Sequence, residues 1–297
     1  MVPHIVALGE VLWDLLPTGA KPGGAPANFA HHARSLGNEV SLISRVGNDQ
    51  LGTDLLLHLQ NNHLQTTLVP IDASLPTGTV SVELHAGGQP SYTIHEDVAW
   101  DALVADAPSL GAVSRCDAIC FGTLAQRHPV SRRAILAMLN ATPDRAKRVF
   151  DVNLRQHFHS PEIIRTSLAH ASMLKMNDEE LPIIAAAADV SGDEAGIVRS
   201  LMQRYSLELV ALTRGAAGSS LFSPHERSDL HTPSVTVKDT IGAGDAFTAA
   251  LLTAHLNGRN LRDSHQLATH LAAWVCTQPG ATPALPAHLI APFQITP

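Results

Sequence analysis

Residues 239–247 read Asp-Thr-Ile-Gly-Ala-Gly-Asp-Ala-Phe, placing an acid directly after three of the smallest residues and at the head of a long apolar run. That run, residues 246–256, is apolar at nearly every position and predicts a helix buried on most sides. The start of such a helix leaves backbone N–H groups unpaired, and Gly242, Ala243 and Gly244 let a ligand approach them closely. The turn therefore reads as an anion-binding nest reinforced by the helix dipole. Asp245 then stands where its charge repels a bound phosphate. That repulsion is tolerable if the carboxylate accepts the proton of a hydroxyl attacking the same phosphate. Taken alone, the nonapeptide is better read as a glycine-rich turn with Asp245 as an ordinary helix cap.

Other stretches carry compatible chemistry. Gly23-Gly24 permits close backbone approach to a ligand, Pro26 suits the first turn of a following helix, and Asn28 offers both a donor and an acceptor. In Phe150–Arg155, Asp151, Asn153 and Arg155 alternate, which predicts three polar side chains on one face at the end of a strand. Arg155 could meet a phosphate or a carboxylate. Asn177 and Glu180 read as a helix-start pair, and Thr213, Gly215 and Gly218 as a glycine turn after a strand.

The elements that must position these residues follow from the apolar pattern. Short β-branched runs (Ile5–Leu8, Val40–Val46, Ala118–Phe121, Arg148–Val152, Met173–Met176, Leu209–Thr213) alternate with helical patterns (Ala27–Leu36, Asp49–Gln60, Val130–Asn140, Pro161–Ala169, Glu194–Arg204). Alternation of this kind predicts βα units around a mainly parallel sheet, with ligands at the carboxyl edge of its strands. Thr77–His95 breaks the pattern, with period-two alternation on both sides of Gly87-Gly88, and predicts a hairpin. Together with residues 11–17 it would make a small second sheet beside the strand ends, either a lid or an edge decoration. No linker, repeat or low-complexity tract divides the 297 residues, so one domain over 1–297 is expected.

Composition excludes several classes. The 27 acidic against 20 basic residues, with no Lys/Arg run, argue against nucleic acid or anionic lipid as partner. Three cysteines without a Cys-x-x-Cys pair point to buried thiols in a reducing cytoplasm. The apolar N-terminus lacks a basic flank and is interrupted by Glu10 and Asp14, and no stretch approaches a membrane span. A dinucleotide-dependent oxidoreductase would need a Gly-x-Gly-x-x-Gly turn after the first strand, which Ala7–Asp14 does not supply.

Both the nonapeptide and the stretches Gly23–Gly37 and Arg45–Gly52 resemble signatures of the PfkB, or ribokinase-like, family of sugar kinases, in the expected order and near the expected ends. The resemblance implies a three-layer α/β/α fold with a mainly parallel central sheet and a β-sheet lid. It implies transfer of the γ-phosphoryl group of ATP, carried with Mg2+, to a primary sugar hydroxyl, with Asp245 as base and Gly242, Ala243 and Gly244 as anion hole. On the same basis Asp14, Gly24, Asn28 and Arg155 would bind the sugar, and Asn177, Thr213, Gly215, Gly218 and Gly244 the nucleotide. Glu180 would act on magnesium through water, and Asp239 with backbone oxygens near Ile241 and Gly280 would hold a monovalent cation, whose use as potassium stays open. Asp49 and Gly52 match a turn in which the acid supports the backbone. Ala25-Pro26-Ala27-Asn28, Gly9–Pro17 and Phe121–Arg127 look fructokinase-like, which favours D-fructose; 2-keto-3-deoxygluconate and a ribose or nucleoside are the alternatives within the family. A catalytically silent sugar- or nucleotide-binding regulator would be expected to lack Asp245. An exposed lid could also pair across a homodimer.

Overall fold

The computed structural model describes residues 2–84 and 90–294. In chain order the first half contains β1 (His4–Leu8), β2 (Leu12–Leu16), β3 (Gly19–Gly23), α1 (Ala25–Ser35), β4 (Glu39–Ile43), β5 (Val46–Gly47), α2 (Gln50–Asn61), β6 (Ile71–Asp72), β7 (Thr79–Leu84), β8 (Pro90–Ile94), α3 (Ala107–Val113), β9 (Ala118–Phe121), α4 (Pro129–Ala141) and β10 (Lys147–Asp151). The second half follows with α5 (Pro161–His170), β11 (Met173–Asn177), α6 (Leu181–Ala187), α7 (Glu194–Tyr205), β12 (Leu209–Thr213), β13 (Ser219–Phe222), β14 (Arg227–Leu230), α8 (Ala243–Leu256), α9 (Leu261–Val275) and α10 (Ala287–Ile290).

Eight strands form the main sheet in the order β14-β13-β12-β11-β10-β9-β1-β4. The six from β12 to β4 are parallel, and β13 and β14 add an antiparallel edge. Both faces are covered, and the period-two rule shows how. In β1, Val6 and Leu8 enter a core with Trp100, Phe121, Met138, Leu168 and Leu201, whereas Ile5 and Ala7 enter a second core with Phe29, Leu55, Ala250 and Leu271. Helices α3 to α7 thus lie on one face and α1, α2, α8 and α9 on the other. The strands read as continuous apolar runs because neither face meets water.

Two sequence expectations change. The run predicted over Val40–Val46 stops at Ile43, and Val46 pairs instead with Ile71 in a separate two-stranded piece. The alternation predicted for Asp151, Asn153 and Arg155 fails because Asn153 has φ +44°, which ends the strand at Asp151 and turns the chain out of the sheet.

A second, four-stranded sheet has the order β3-β2-β7-β8. It stands off the carboxyl edge, joined through the turn after β1 and through Asp49. Asp49 caps α2 by accepting from the Gly52 N–H at 2.7 Å, and accepts from the Thr77 N–H and hydroxyl at 2.8 and 2.6 Å. The acid therefore supports the backbone at the base of β7. The predicted turn at Gly87-Gly88 lies outside the described residues.

Candidate active site at the carboxyl edge of the sheet

Parallel pairing brings the ends of β1, β9, β10, β11 and β12 to one edge, with the starts of α1 and α8 beside them. α8 begins after Gly242, which takes a left-handed φ of +79° and offers no side-chain cap. Asp245 consequently sits in the first helical turn rather than at the cap. A Cβ on Gly242 would come within 2.5 Å of the Ala281 carbonyl, so the turn is pressed against the 280–283 loop and only glycine fits. The apolar run behind it is buried from Ala246 to Ala254, which fixes the helix as a rigid mount.

Asn28, in the first turn of α1, donates to Asp245 Oδ2 at 2.9 Å, a contact across 217 residues with both side chains buried. The residue before α1, Gly24, has φ +109°, and a Cβ there would stand 2.5 Å from the Glu10 carbonyl. Close passage of the β1 turn past α1 is thus the local reason for the glycine pair. A Cβ on Gly23 would meet Asp14 Oδ2 at 2.6 Å, so the Asp14 carboxyl lies over that glycine. Among the described residues Arg155 bonds only locally, to the Leu154 carbonyl at 3.0 Å and Asn153 Oδ1 at 3.2 Å, and its charge acts on Glu10, Asp14 and Asp245 together.

Burial dominates the electrostatics of this corner. It raises the Asp245 carboxyl to about 6, with the Asp151 charge adding to the rise and the Asn28 hydrogen bond, Lys175 and Arg155 opposing it. Burial also raises Asp14 against the pull of Arg155. Glu10, 5% exposed in the turn after β1, is raised to about 7. Glu10, Asp151, Asn153 and Asp245 line one small pocket beneath the start of α1.

Further along the edge, Asn177 and Glu180 hold each other. The Glu180 N–H donates to Asn177 Oδ1 at 2.8 Å, and Glu180 accepts from the N–H groups of Asn177 at 2.8 Å and Leu154 at 2.9 Å. Glu180 thereby ties the loop after β10 to the end of β11. Thr213 ends β12 and accepts from the Asp178 N–H at 3.0 Å, while Gly215 and Gly218 follow with φ of +53° and +107°. These residues share the edge with Asp245 without bonding to its cluster. Asp239 accepts from the N–H groups of Ile241 at 3.0 Å and Gly280 at 3.1 Å, which draws the three predicted cation-site positions together. Among the described residues no group of three or more His, Cys, Asp or Glu is placed to hold a metal ion.

Residues 18–288 match the pfkB family carbohydrate kinase model. The chain belongs to the pfkB family of carbohydrate kinases. It is 32% identical to a fructokinase of Klebsiella pneumoniae over 95% of this chain and 96% of that protein. The crystal structure of a sugar kinase from Pyrococcus horikoshii in complex with ATP superposes with a TM-score of 0.81, at 29% identity and over 94% of each chain. A Vibrio cholerae fructokinase with fructose, ADP and potassium ion bound superposes with a TM-score of 0.80 at 24% identity, covering 99% of both chains, and shares the fold. A pfkB-family sugar kinase accounts for the ribokinase-like α/β sheet and the small separate sheet. Among the described residues no helix is long and apolar enough to cross a membrane.

The resemblance gives no role to several residues of the corner, although Glu10, His31 and His32 lie within stretches that carry it. Glu10 reads in sequence only as an acid interrupting an apolar segment, and Lys175 is the one charge in the strand Met-Leu-Lys-Met-Asn. His31 and His32, an adjacent pair among 17 histidines, donate from Nε2 to the carbonyls of Pro283 and Ala281 at 3.3 and 2.9 Å, joining α1 to the loop against the Gly242 turn. Burial, and secondarily the neighbouring His31, lowers His32 to about 3, so it stays neutral.

Proposed function

We propose that this kinase transfers the γ-phosphoryl group of ATP to O6 of D-fructose. The observation that carries the reading is the buried Asp245 in the first turn of α8, behind a glycine turn and hydrogen-bonded by Asn28 from α1. Asp245 takes the proton as the fructose hydroxyl oxygen bonds to the γ-phosphorus, the bond to the β-phosphate oxygen breaks, and ADP leaves. The backbone amides around Gly242, Ala243 and Gly244 oppose the charge that gathers on the transferring group. Asn28 holds one Asp245 oxygen and leaves the other for the substrate hydroxyl. Asp14 and the Gly23-Gly24 turn meet the remaining sugar hydroxyls, and the lid sheet excludes water from competing as acceptor.

In this reading Asn177, Thr213, Gly215 and Gly218 lie along the nucleotide, and magnesium would neutralise phosphate charge with few direct protein ligands, Glu180 being the residue that would hold it through water. Glu180 keeps a free lone pair on each oxygen through which a metal-bound water could be reached. Asp239 with the loop at Gly280 would hold a potassium ion near the nest. We further read residues 1–297 as one kinase unit, cytoplasmic, able to pair as a homodimer through the lid.

Fructose is favoured by the Ala25–Asn28 sequence and by the fructokinases among the relatives. A second substrate, 2-keto-3-deoxygluconate, is favoured by Arg155, whose guanidinium, among the described residues, bonds to its own loop alone and could take a carboxylate. Coupled measurement of ADP release with ATP and fructose, 2-keto-3-deoxygluconate, ribose or adenosine tests the reading. Fructose should give the highest kcat/KM. Release unchanged by any of the four would overturn the kinase assignment, and preference for the sugar acid would move the assignment to the second substrate.

A further inference from the structure

We propose that Lys175 is a positioning residue for phosphoryl transfer, its buried ammonium standing directly behind the anion nest and strengthening the nest's field through an ion pair aligned with α8. This rests on the kinase reading above. Lys175 Nζ donates to Asp151 Oδ1 at 3.1 Å, with both side chains less than 10% exposed. The other Asp151 oxygen accepts from the Thr248 hydroxyl at 2.7 Å, and that hydroxyl also lies 3.0 Å from the Gly244 carbonyl. A Cβ built on Gly244 would come 3.1 Å from Nζ. Gly244 therefore lacks a side chain where the lysine head approaches it from inside the protein. Its small size admits a phosphate on one side and leaves room for the ammonium on the other.

The geometry gives the pair a direction. Its positive end lies at Gly244, in the first turn of α8, and its negative end at Thr248, one turn further along. The helix dipole has the same sense, positive at its start. In a site of low effective dielectric the two fields add at the nest, where transition-state charge accumulates. Stability offers no comparable account, because a buried ion pair is often replaceable by apolar side chains without loss. Its strand neighbours Met173, Leu174 and Met176 are apolar and buried, which would suit such a replacement.

The charged groups facing Lys175 are Asp151, Glu180 and Asp245; burial works against its charge, and these three acids outweigh burial and raise its proton affinity. Those facing Asp245 are Glu10, Asp151, Lys175 and Arg155. Loss of the ammonium should therefore both weaken the nest and make Asp245 harder to ionise.

Three variants separate this role from mere neutralisation of Asp151: Lys175→Met, Asp151→Asn and the double variant. With ATP and fructose, Lys175→Met should lose about 100-fold in kcat, the scale of one oxyanion donor, with the acid limb of its pH profile moved upward. Because Lys175→Met leaves a buried carboxylate unpaired and can fail to fold, the double variant, which holds no buried charge at either position, carries the decisive comparison. Its thermal stability should return to near the wild-type value while kcat stays at least about 30-fold down. A double variant within threefold of wild type would show that Lys175 only neutralises Asp151 and would overturn the proposal alone. Wild-type protein inactive on every sugar would instead overturn the kinase reading, and this inference with it.

Discussion

Replacing Glu10 by glutamine should stabilise this protein at alkaline pH and leave it unchanged in mild acid. The Glu10 carboxyl is raised from 4.5 to about 7, first by burial and then by the charge of Asp245, against the hydrogen bonds of the Glu10 and Ala25 backbone and the charge of Arg155. A carboxyl whose folded value is raised stabilises the fold below its unfolded value, and that contribution is lost as pH rises through about 7. At about 1.4 kcal/mol per unit, the shift corresponds to roughly 3 kcal/mol forfeited by the wild type well above pH 7. Glutamine is isosteric, keeps an acceptor for the backbone N–H groups and carries no charge. Glu10→Gln should then gain up to about 3 kcal/mol at pH 8, or roughly 6 °C in Tm for a chain of this size, and almost nothing at pH 4.5. Thermal unfolding followed by tryptophan fluorescence at the two pH values measures the difference. An equal change at both pH values, or destabilisation at pH 8, would refute the reasoning, because it would mean that Glu10 is ionised in the native protein without cost. The same variant should leave the acid limb of turnover near pH 6 in place, since Glu10 is already largely protonated where Asp245 titrates.

Three further outcomes follow from the site. Asp245→Asn should lose about 10²–10⁴ in kcat, the range of general-base catalysis, while still binding ATP in a fluorescence titration; near-normal turnover would remove Asp245 from the role of base. Wild-type kcat/KM should fall below a pH of about 6, where burial and Asp151 place the Asp245 carboxyl, and a profile flat down to pH 4.5 would contradict that placement. Asp239→Ala should abolish any activation by potassium chloride over choline chloride and leave the fold intact by circular dichroism, whereas retained activation would move the cation away from the loop at Gly280.

Legibility in the sequence divides along physical lines. β9 and β12 are predicted to the residue because strands buried on both faces are short apolar runs bounded by polar turns. The glycine turn that opens α8 is equally plain, since close backbone approach demands small residues in a row. Periodicity leaves α9 unassigned although Asn260 caps it, because its buried face mixes apolar positions with polar ones that are themselves buried, such as Ser264, His265 and Thr269. The failure at Asn153 has another cause: a left-handed φ at a single non-glycine residue changes which way Arg155 faces, and no pattern of residue types announces it. Lys175 and Glu10 are invisible for the opposite reason. A charge in an apolar run lowers confidence in the element, and only its partners in space reveal what it does.

Those partners also explain how one edge of the sheet can carry four acids and still receive a polyanion. Glu180 is held by the amides of Asn177 and Leu154, and Asp151 by Lys175 and Thr248. Glu10, raised to about 7, is largely protonated in mild acid and only half charged near neutrality. Among the described residues Asp245 receives a single hydrogen bond, from Asn28, which leaves its other oxygen without a partner there. Of the four, it is the carboxylate left free to accept a proton, and it is the one set in the first turn behind the glycine nest. The repulsion that makes Asp245 look misplaced beside a phosphate is thus confined to one group. In the proposed reaction, protonation of that group during transfer would remove its charge as the phosphoryl group arrives.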